Sequence, residues 1–272
     1  MKKLHLSILF LILFGNSITI YSQCVVKNFA FQDGEKLIYK VYYNWGLLWL
    51  SAGEVSFEVK TALLDNKKVF HFDSYGSSYK AYDWLFKVRD HYESYAGMDS
   101  LESLKFRRKT YEGGYEVDNK YIFDHNQKLI YSFVEDSDHP YKEDTLDLAD
   151  CTFDLLTATY VIRNYDFSKY VVNEKIPIRM VIDNEVYDLY FRYRGKGIVR
   201  TRNGESFNCI KFTALLLEGS LFKGGKDLVV WVSDDKNRIP ILIEAKILVG
   251  SVKAYLNEAT GLRNESTSKI ID

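Results

Sequence analysis

Apolar and polar side chains alternate with a period of two along nearly the whole chain. A chain patterned this way buries one face only by forming β-strands. In "YKVYYNWGLLWLSAGEVSFEV" (39–59), Tyr39, Val41 and Tyr43 share one face before Asn44-Trp45-Gly46, and Leu48, Leu50 and Ala52 share one after it. Past Gly53 the apolar positions become Val55, Phe57 and Val59. That slip of one residue turns side chains over, and a glycine-marked bulge permits it. Further strands follow at Phe70/Phe72, Tyr115/Val117, Tyr121/Phe123, Leu129/Tyr131/Phe133, Ile176/Ile178/Met180/Ile182 and Tyr187/Leu189/Phe191/Tyr193. Turn signals at Glu112-Gly113-Gly114, Asp124-His125-Asn126-Gln127, Asp183-Asn184, Asn203-Gly204 and Asp234–Asn237 punctuate them. The pattern predicts about a dozen to fourteen strands joined mainly by short turns.

One stretch departs from it. After the acidic, irregular segment 135–150, Phe153, Leu156, Tyr160 and Ile162 fall near helical spacing. They predict one α-helix over about 151–165, with Asp150 as its cap. Three prolines, no Gly/Ser linker and no repeat leave no domain boundary after the leader. The expected organisation is a signal peptide over 1–22, one β-rich domain over 23–262 and a polar tail over 263–272. Flat sheets of that many strands are disfavoured, so the fold class is mainly all-β: a single curved antiparallel sheet forming an open or half barrel, with the helix packed against it.

Lys2 and Lys3 precede an apolar run from Leu6 to Phe14, and Ser22 offers a small residue for cleavage. This reads as a secretory leader, too short to span a bilayer. Lipidation at Cys24 is the rival reading, against which stands the bulky Gln23. Loss of Lys2 and Lys3 leaves 34 basic against 37 acidic residues, a formal charge of −3. Near-neutrality argues against nucleic acid as a partner, and no later stretch has the apolar length of a transmembrane helix. Of three cysteines, Cys209 sits within a strand pattern as a buried thiol. Cys24 and Cys151 lie outside strands and form the favoured disulfide in an oxidising compartment.

The chain holds 4 Trp, 21 Tyr and 17 Phe, and two readings of them stay open. One is core packing combined with the good strand propensity of rings. The other keeps Tyr43, Trp45, Trp49, Tyr82, Trp84, Phe86 and Trp231 along an apolar ligand-binding cleft. In "RDHYES", alternation puts His91 and Glu93 on one face and Asp90 on the other, which favours a solvated strand face over catalysis. The basic run "KFRRK" (105–109) likewise reads as strand surface. Nothing in the spacing of Cys, His or acidic residues calls for a metal or another cofactor.

Three segments together, "FQDGEKLIYKVYYNWGLLWLSAGEV", "FKVRDHYESYAGMDSLESLKFRRKTYEGGYEV" and "DDKNRIPILIEAKILVGSVKAYL", resemble the bacterial exported domain-of-unknown-function family 3108 in its Bacteroidetes-type form, over about Phe29 to Leu262. The resemblance implies a periplasmic or outer-membrane-associated location and carries no catalytic residues. The outline is also similar, as fold analogy alone, to half-barrel lipoprotein carriers. The expected function is therefore non-enzymatic binding or carriage of an apolar small molecule, a lipid or a lipid-modified partner. The alternatives are an assembly factor that binds another envelope protein, and a hydrolase built on Asp90 and Glu93.

Overall fold

A computed structural model describes residues 26–45, 48–215, 227–246 and 250–271. The first half of the chain is an antiparallel meander: β1 (Lys36–Trp45), β2 (Leu48–Leu64), β3 (Lys67–Ser78), β4 (Val88–Gly97), β5 (Ser103–Glu112), β6 (Tyr115–Asp124), β7 (Leu129–Asp136) and β8 (Lys142–Asp147). The two-residue strand β9 (Thr152–Phe153) and helix α1 (Leu155–Ile162) follow. A second meander then runs through β10 (Lys175–Ile182), β11 (Glu185–Arg200), β12 (Ser206–Leu215), β13 (Asp227–Ser233), β14 (Pro240–Lys246) and β15 (Ser251–Thr260). A last strand, β16 (Lys269–Ile270), pairs with the start of β12.

β1 pairs with β15, so the two meanders join at the chain's extremities into one large sheet with β8 and β9 at its edges. The sheet is not closed into a barrel. Pairing is antiparallel throughout except where β9 runs parallel to β10. The expected curved, mainly all-β architecture is what the chain forms, with sixteen strands among the described residues.

The turns explain the register. Asp65-Asn66 and Asp183-Asn184 close two-residue hairpins with both residues at positive φ (48° and 63°; 46° and 63°), the geometry that matches strand twist. Gly113-Gly114 does the same between β5 and β6. The slip read at Gly53 is a bulge: Val41 faces Gly53 while Tyr42 faces Ser51, leaving Ala52 without an opposite number. Only glycine fits there, since a Cβ on Gly53 would lie 2.3 Å from the Ser77 carbonyl oxygen.

The helix is shorter than the periodicity predicts, and its cap is Asp154, not Asp150. Cys151 sits at φ 62° and the next two residues pair as strand with β10, so the helix starts only at Leu155. Asp154 accepts hydrogen bonds from the backbone N–H groups of Leu156 (3.0 Å) and Thr157 (2.8 Å). Its other oxygen accepts from Ser94 Oγ (2.9 Å) and Ser103 Oγ (2.6 Å), which ties the helix start to β4 and β5.

The main core lies between the two meanders and includes the inner face of α1. Tyr160 stacks on Phe72 with ring centroids 3.9 Å apart, and Phe31 meets Phe70, Phe72 and Tyr160 edge-on. The aromatic-core reading therefore holds for much of the ring content. At the far end of the helix, buried Arg163 donates to both carboxylate oxygens of buried Glu35 (2.6 and 2.9 Å) and to the Asn237 carbonyl. A second, smaller core gathers Leu37, Tyr39, Phe207, Cys209, Ile241 and Leu256, where register shifts in β1, β11 and β13 redirect the strands. The residues expected as a polar tail are tied in up to the last described residues: Ser268 donates to Asp235 (2.7 Å), and Asn264 N–H to Asn237 (2.9 Å).

Candidate functional site

Strand direction gives the sheet two ends. β1, β3, β5 and β7 finish at one of them, the upper rim, and the helix termini lie nearer the other. Side chains on the inner face of β3–β6 form successive cross-strand rows. The row Phe72, Ser94, Phe106, Tyr121 is largely aromatic and packs on the helix. The next rows towards the rim carry more polar groups: Ser74, Tyr92, Arg108, Asn119, then Gly76, Asp90, Thr110, Val117. The wall thus becomes more polar as it rises.

The β10–β11 turn folds over part of the polar wall and brings the two meanders together. Arg108 donates to Asp183 (2.9 Å), as does Asn119 (3.3 Å). Tyr121 Oη accepts from the Asn184 N–H (3.0 Å), and the Asn184 side chain donates to Asp144 (3.1 Å). Arg108 is the basic residue of "KFRRK" that shares the inner face with Phe106; only 20% of its side chain is exposed, so it is not the solvated surface that the basic run suggests. Arg107, its neighbour, does face outward and pairs with Asp118 (2.9 Å).

Asp90 is the most perturbed carboxyl of this wall. Burial, with a smaller contribution from the negative charge of Glu112, pushes its pKa up to about 7 against the partial relief of a Tyr111 backbone hydrogen bond and Arg108. Its Oδ1 is buried without a protein partner, and so is Arg108 Nε. Alternation had placed His91 and Glu93 opposite Asp90, and the structure agrees. His91 pairs with Asp73 (2.8 Å) on the outer face, in a charge ladder that continues through Lys60 and Glu58 to Lys36; Glu93 lies 3.3 Å from His71. The carboxylate neighbour that senses Asp90 is Glu112 on β5.

Most of the expected cleft residues sit at the upper rim. Tyr43 and Trp49 are half-buried near the tips of β1 and β2, with Lys253 Nζ 5.2 Å above the Trp49 ring. Trp45 ends β1, and its side chain lies outside the described set. Tyr82, Trp84 and Phe86 lie on the 79–87 connection between β3 and β4, which the Tyr79 N–H ties to the Ala52 carbonyl of β2 (2.9 Å). Trp84 is 81% exposed, Leu85 45% and Phe86 42%, while Tyr82 is half-buried. Trp231 is apart from these: it packs on the second core over Gly197, where a Cβ would come within 2.9 Å of its ring. Sequence reasoning missed Arg108 and Glu112 as partners of Asp90; their same-face positions on β5 were the available signal.

A separate cleft of about 350 Å³, of mixed polar and apolar lining, includes Lys196, Ile198, Asn208, Cys209, Asp234 and Ser268. The Lys196–Asp234 ion pair (2.7 Å) spans part of it. Cys209 is a free, buried thiol, with its pKa pushed up to about 12 by burial, which makes it a poor nucleophile. Cys151 is disulfide-bonded; its expected partner, Cys24, lies outside the described residues.

The fold and this wall define a β-barrel-like protein built on one curled, unclosed sheet. A solved structure agrees: the β-barrel-like protein of domain of unknown function DUF1849 from Brucella abortus superposes with a TM-score of 0.54 at 11% identity, covering 85% of this chain and 98% of that one. At that identity the likeness is one of fold. The sequence profile described as "Protein of unknown function (DUF3108)" matches residues 38–257, and the chain belongs to that family. No curated protein matches the sequence. No helix among the described residues is long and apolar enough to cross a membrane.

Proposed function

We propose that this is an exported envelope protein of the Bacteroidetes-type branch of its family, which binds an apolar ligand or a lipid-modified partner at its upper rim without chemical turnover. The observation that carries this reading is that Tyr43, Trp49, Tyr82, Trp84 and Phe86 lie along one end of the sheet as half-buried or exposed rings, while the helix level of the interior is packed. The leader-like N-terminus supports export to the periplasm or the outer-membrane surface, and so does a disulfide at Cys151, since such bonds persist in oxidising compartments.

Mass spectrometry of protein recovered from native envelopes tests the reading. A co-purifying lipid or lipopeptide is expected, and Trp49→Asp is expected to lose it more than Lys60→Asp, whose side chain belongs to the outer charge ladder. Equal loss in the two variants, or a ligand-free protein, argues the other way. The same material gives the export test: Edman sequencing is expected to start at Gln23 or Cys24.

Two other readings each have an observation behind them. An assembly factor would use the β1–β2 hairpin, because the β8 edge carries Lys142, Glu143, Asp144 and Asp147, charges that discourage strand addition. Cross-linking to a stoichiometric protein partner would favour it. A hydrolase would rest on Asp90 with Glu112 in place of Glu93, since a carboxyl near pKa 7 beside a second acid suits acid–base work. Activity on an ester or glycoside that vanishes in Asp90→Asn would favour that reading.

A further inference from the structure

The connection between β3 and β4 is built to hold apolar side chains out in solvent. Its base is braced by Asp83, whose carboxylate accepts from Arg89 (2.6 Å and 3.2 Å) and from Ser78 Oγ (2.6 Å). Ser78 Oγ in turn accepts from the Val88 N–H (3.0 Å). A 3-10 turn over Lys80–Tyr82 shapes the segment, and the N–H groups of Leu85 and Phe86 both bond to the Tyr82 carbonyl (2.9 and 3.2 Å). On the far side the Phe86 ring covers Gly113, where a Cβ would lie 2.3 Å from it. A loop braced this way does not collapse to hide Trp84, which stays 81% exposed beside Leu85 and Phe86.

Two features narrow what such a tip can meet. The tip is exposed, and the N–H groups of Tyr82, Asp83, Leu85 and Phe86 bond to carbonyls within the loop, so it is a turn rather than an extended strand edge to which a peptide could add. Exposed Lys80 and Lys87 flank it, while the acid between them, Asp83, is neutralised by Arg89. A tryptophan-bearing apolar tip between cations matches the membrane–water interface, where amphipathic rings sit at headgroup depth and Lys meets anionic lipid.

We propose that the 79–87 loop docks this protein on an anionic bilayer surface, with Trp84 and Leu85 entering the interface and Lys80 and Lys87 contacting headgroup phosphates. The docking goes beyond ligand carriage: it requires no bound ligand, and a ligand-free protein that still binds membranes would refute only the carriage reading.

Co-sedimentation of the mature protein with vesicles tests it. Binding is expected with equal parts phosphatidylglycerol and phosphatidylcholine, and much weaker binding with phosphatidylcholine alone. Trp84→Ser with Leu85→Ser is expected to lower the partition coefficient by about tenfold or more, and Lys80→Glu with Lys87→Glu to abolish the preference for anionic lipid. All four side chains are on the surface, so unchanged thermal melting confirms that these variants fold. Wild-type protein that ignores anionic vesicles overturns the proposal. So do a double serine variant that binds like wild type, and equal binding to both vesicle types.

Discussion

Replacing Asp90 by Asn changes one charge in the inner wall and almost nothing in its shape. In the folded protein this carboxyl has its pKa raised from the ordinary 3.8 to about 7, chiefly by burial and next by Glu112. The folded state therefore holds a proton that the unfolded chain releases, and stability falls as pH climbs from about 4 to about 7, then levels off. At about 1.36 kcal/mol per pH unit that window corresponds to about 4 kcal/mol. Partial solvent contact of the carboxyl reduces it, and about 2 kcal/mol is the expected effect. Asn stays neutral and can still accept from the Tyr111 N–H. Asp90→Asn should thus match the wild type near pH 4 and exceed it by about 2 kcal/mol near pH 8, a rise of about 4–8 °C in Tm. Urea unfolding followed by tryptophan fluorescence at the two pH values reads this directly, and other titrating groups cancel in the difference. A variant that is no more stable than wild type at the higher pH, or one equally stabilised at both, refutes the assignment of Asp90 as the strained carboxyl.

Three further outcomes follow from the packing. Arg163→Met should cost about 3–5 kcal/mol in urea unfolding because it leaves Glu35 buried without its cation, and adding Glu35→Met should recover part of that loss. Gly53→Ala should destabilise by about 1–3 kcal/mol in thermal melts, since the new methyl meets the Ser77 backbone oxygen rather than a side chain that can move aside. Iodoacetamide should leave Cys209 unmodified until denaturant is added, and peptide mapping without reductant should recover Cys151 linked to Cys24.

How far the sequence alone carries can be judged residue by residue. Strand identity, the bulge beside Gly53, the Asp183-Asn184 turn and the opposite facing of Asp90 and Glu93 are local consequences of side-chain period and turn chemistry, so they could be read from neighbours along the chain. The helix boundary could not. Thr152 and Phe153 fall within the stretch of helical spacing, and only β10, whose Arg179 and Met180 lie far along the chain, makes them pair as strand instead. Asp154 caps the helix by local chemistry, but Ser94 and Ser103 hold it there from across the fold.

The candidate site divides the same way. Alternation fixed which face Arg108 and Asp90 occupy, and the run of apolar residues at 84–86 stood in plain view. Whether those rings would be core or surface depended on what packs against them: Phe72 meets the helix at Tyr160, whereas Trp84 meets solvent because the Arg89–Asp83 brace holds its loop outward. Sequence by itself determined a chain of strands that must curl to bury one face. Tertiary structure alone decided that β1 and β15 join its two ends and that the turn at Asp183 closes over Arg108, because those energies come from contacts between residues far apart in the chain.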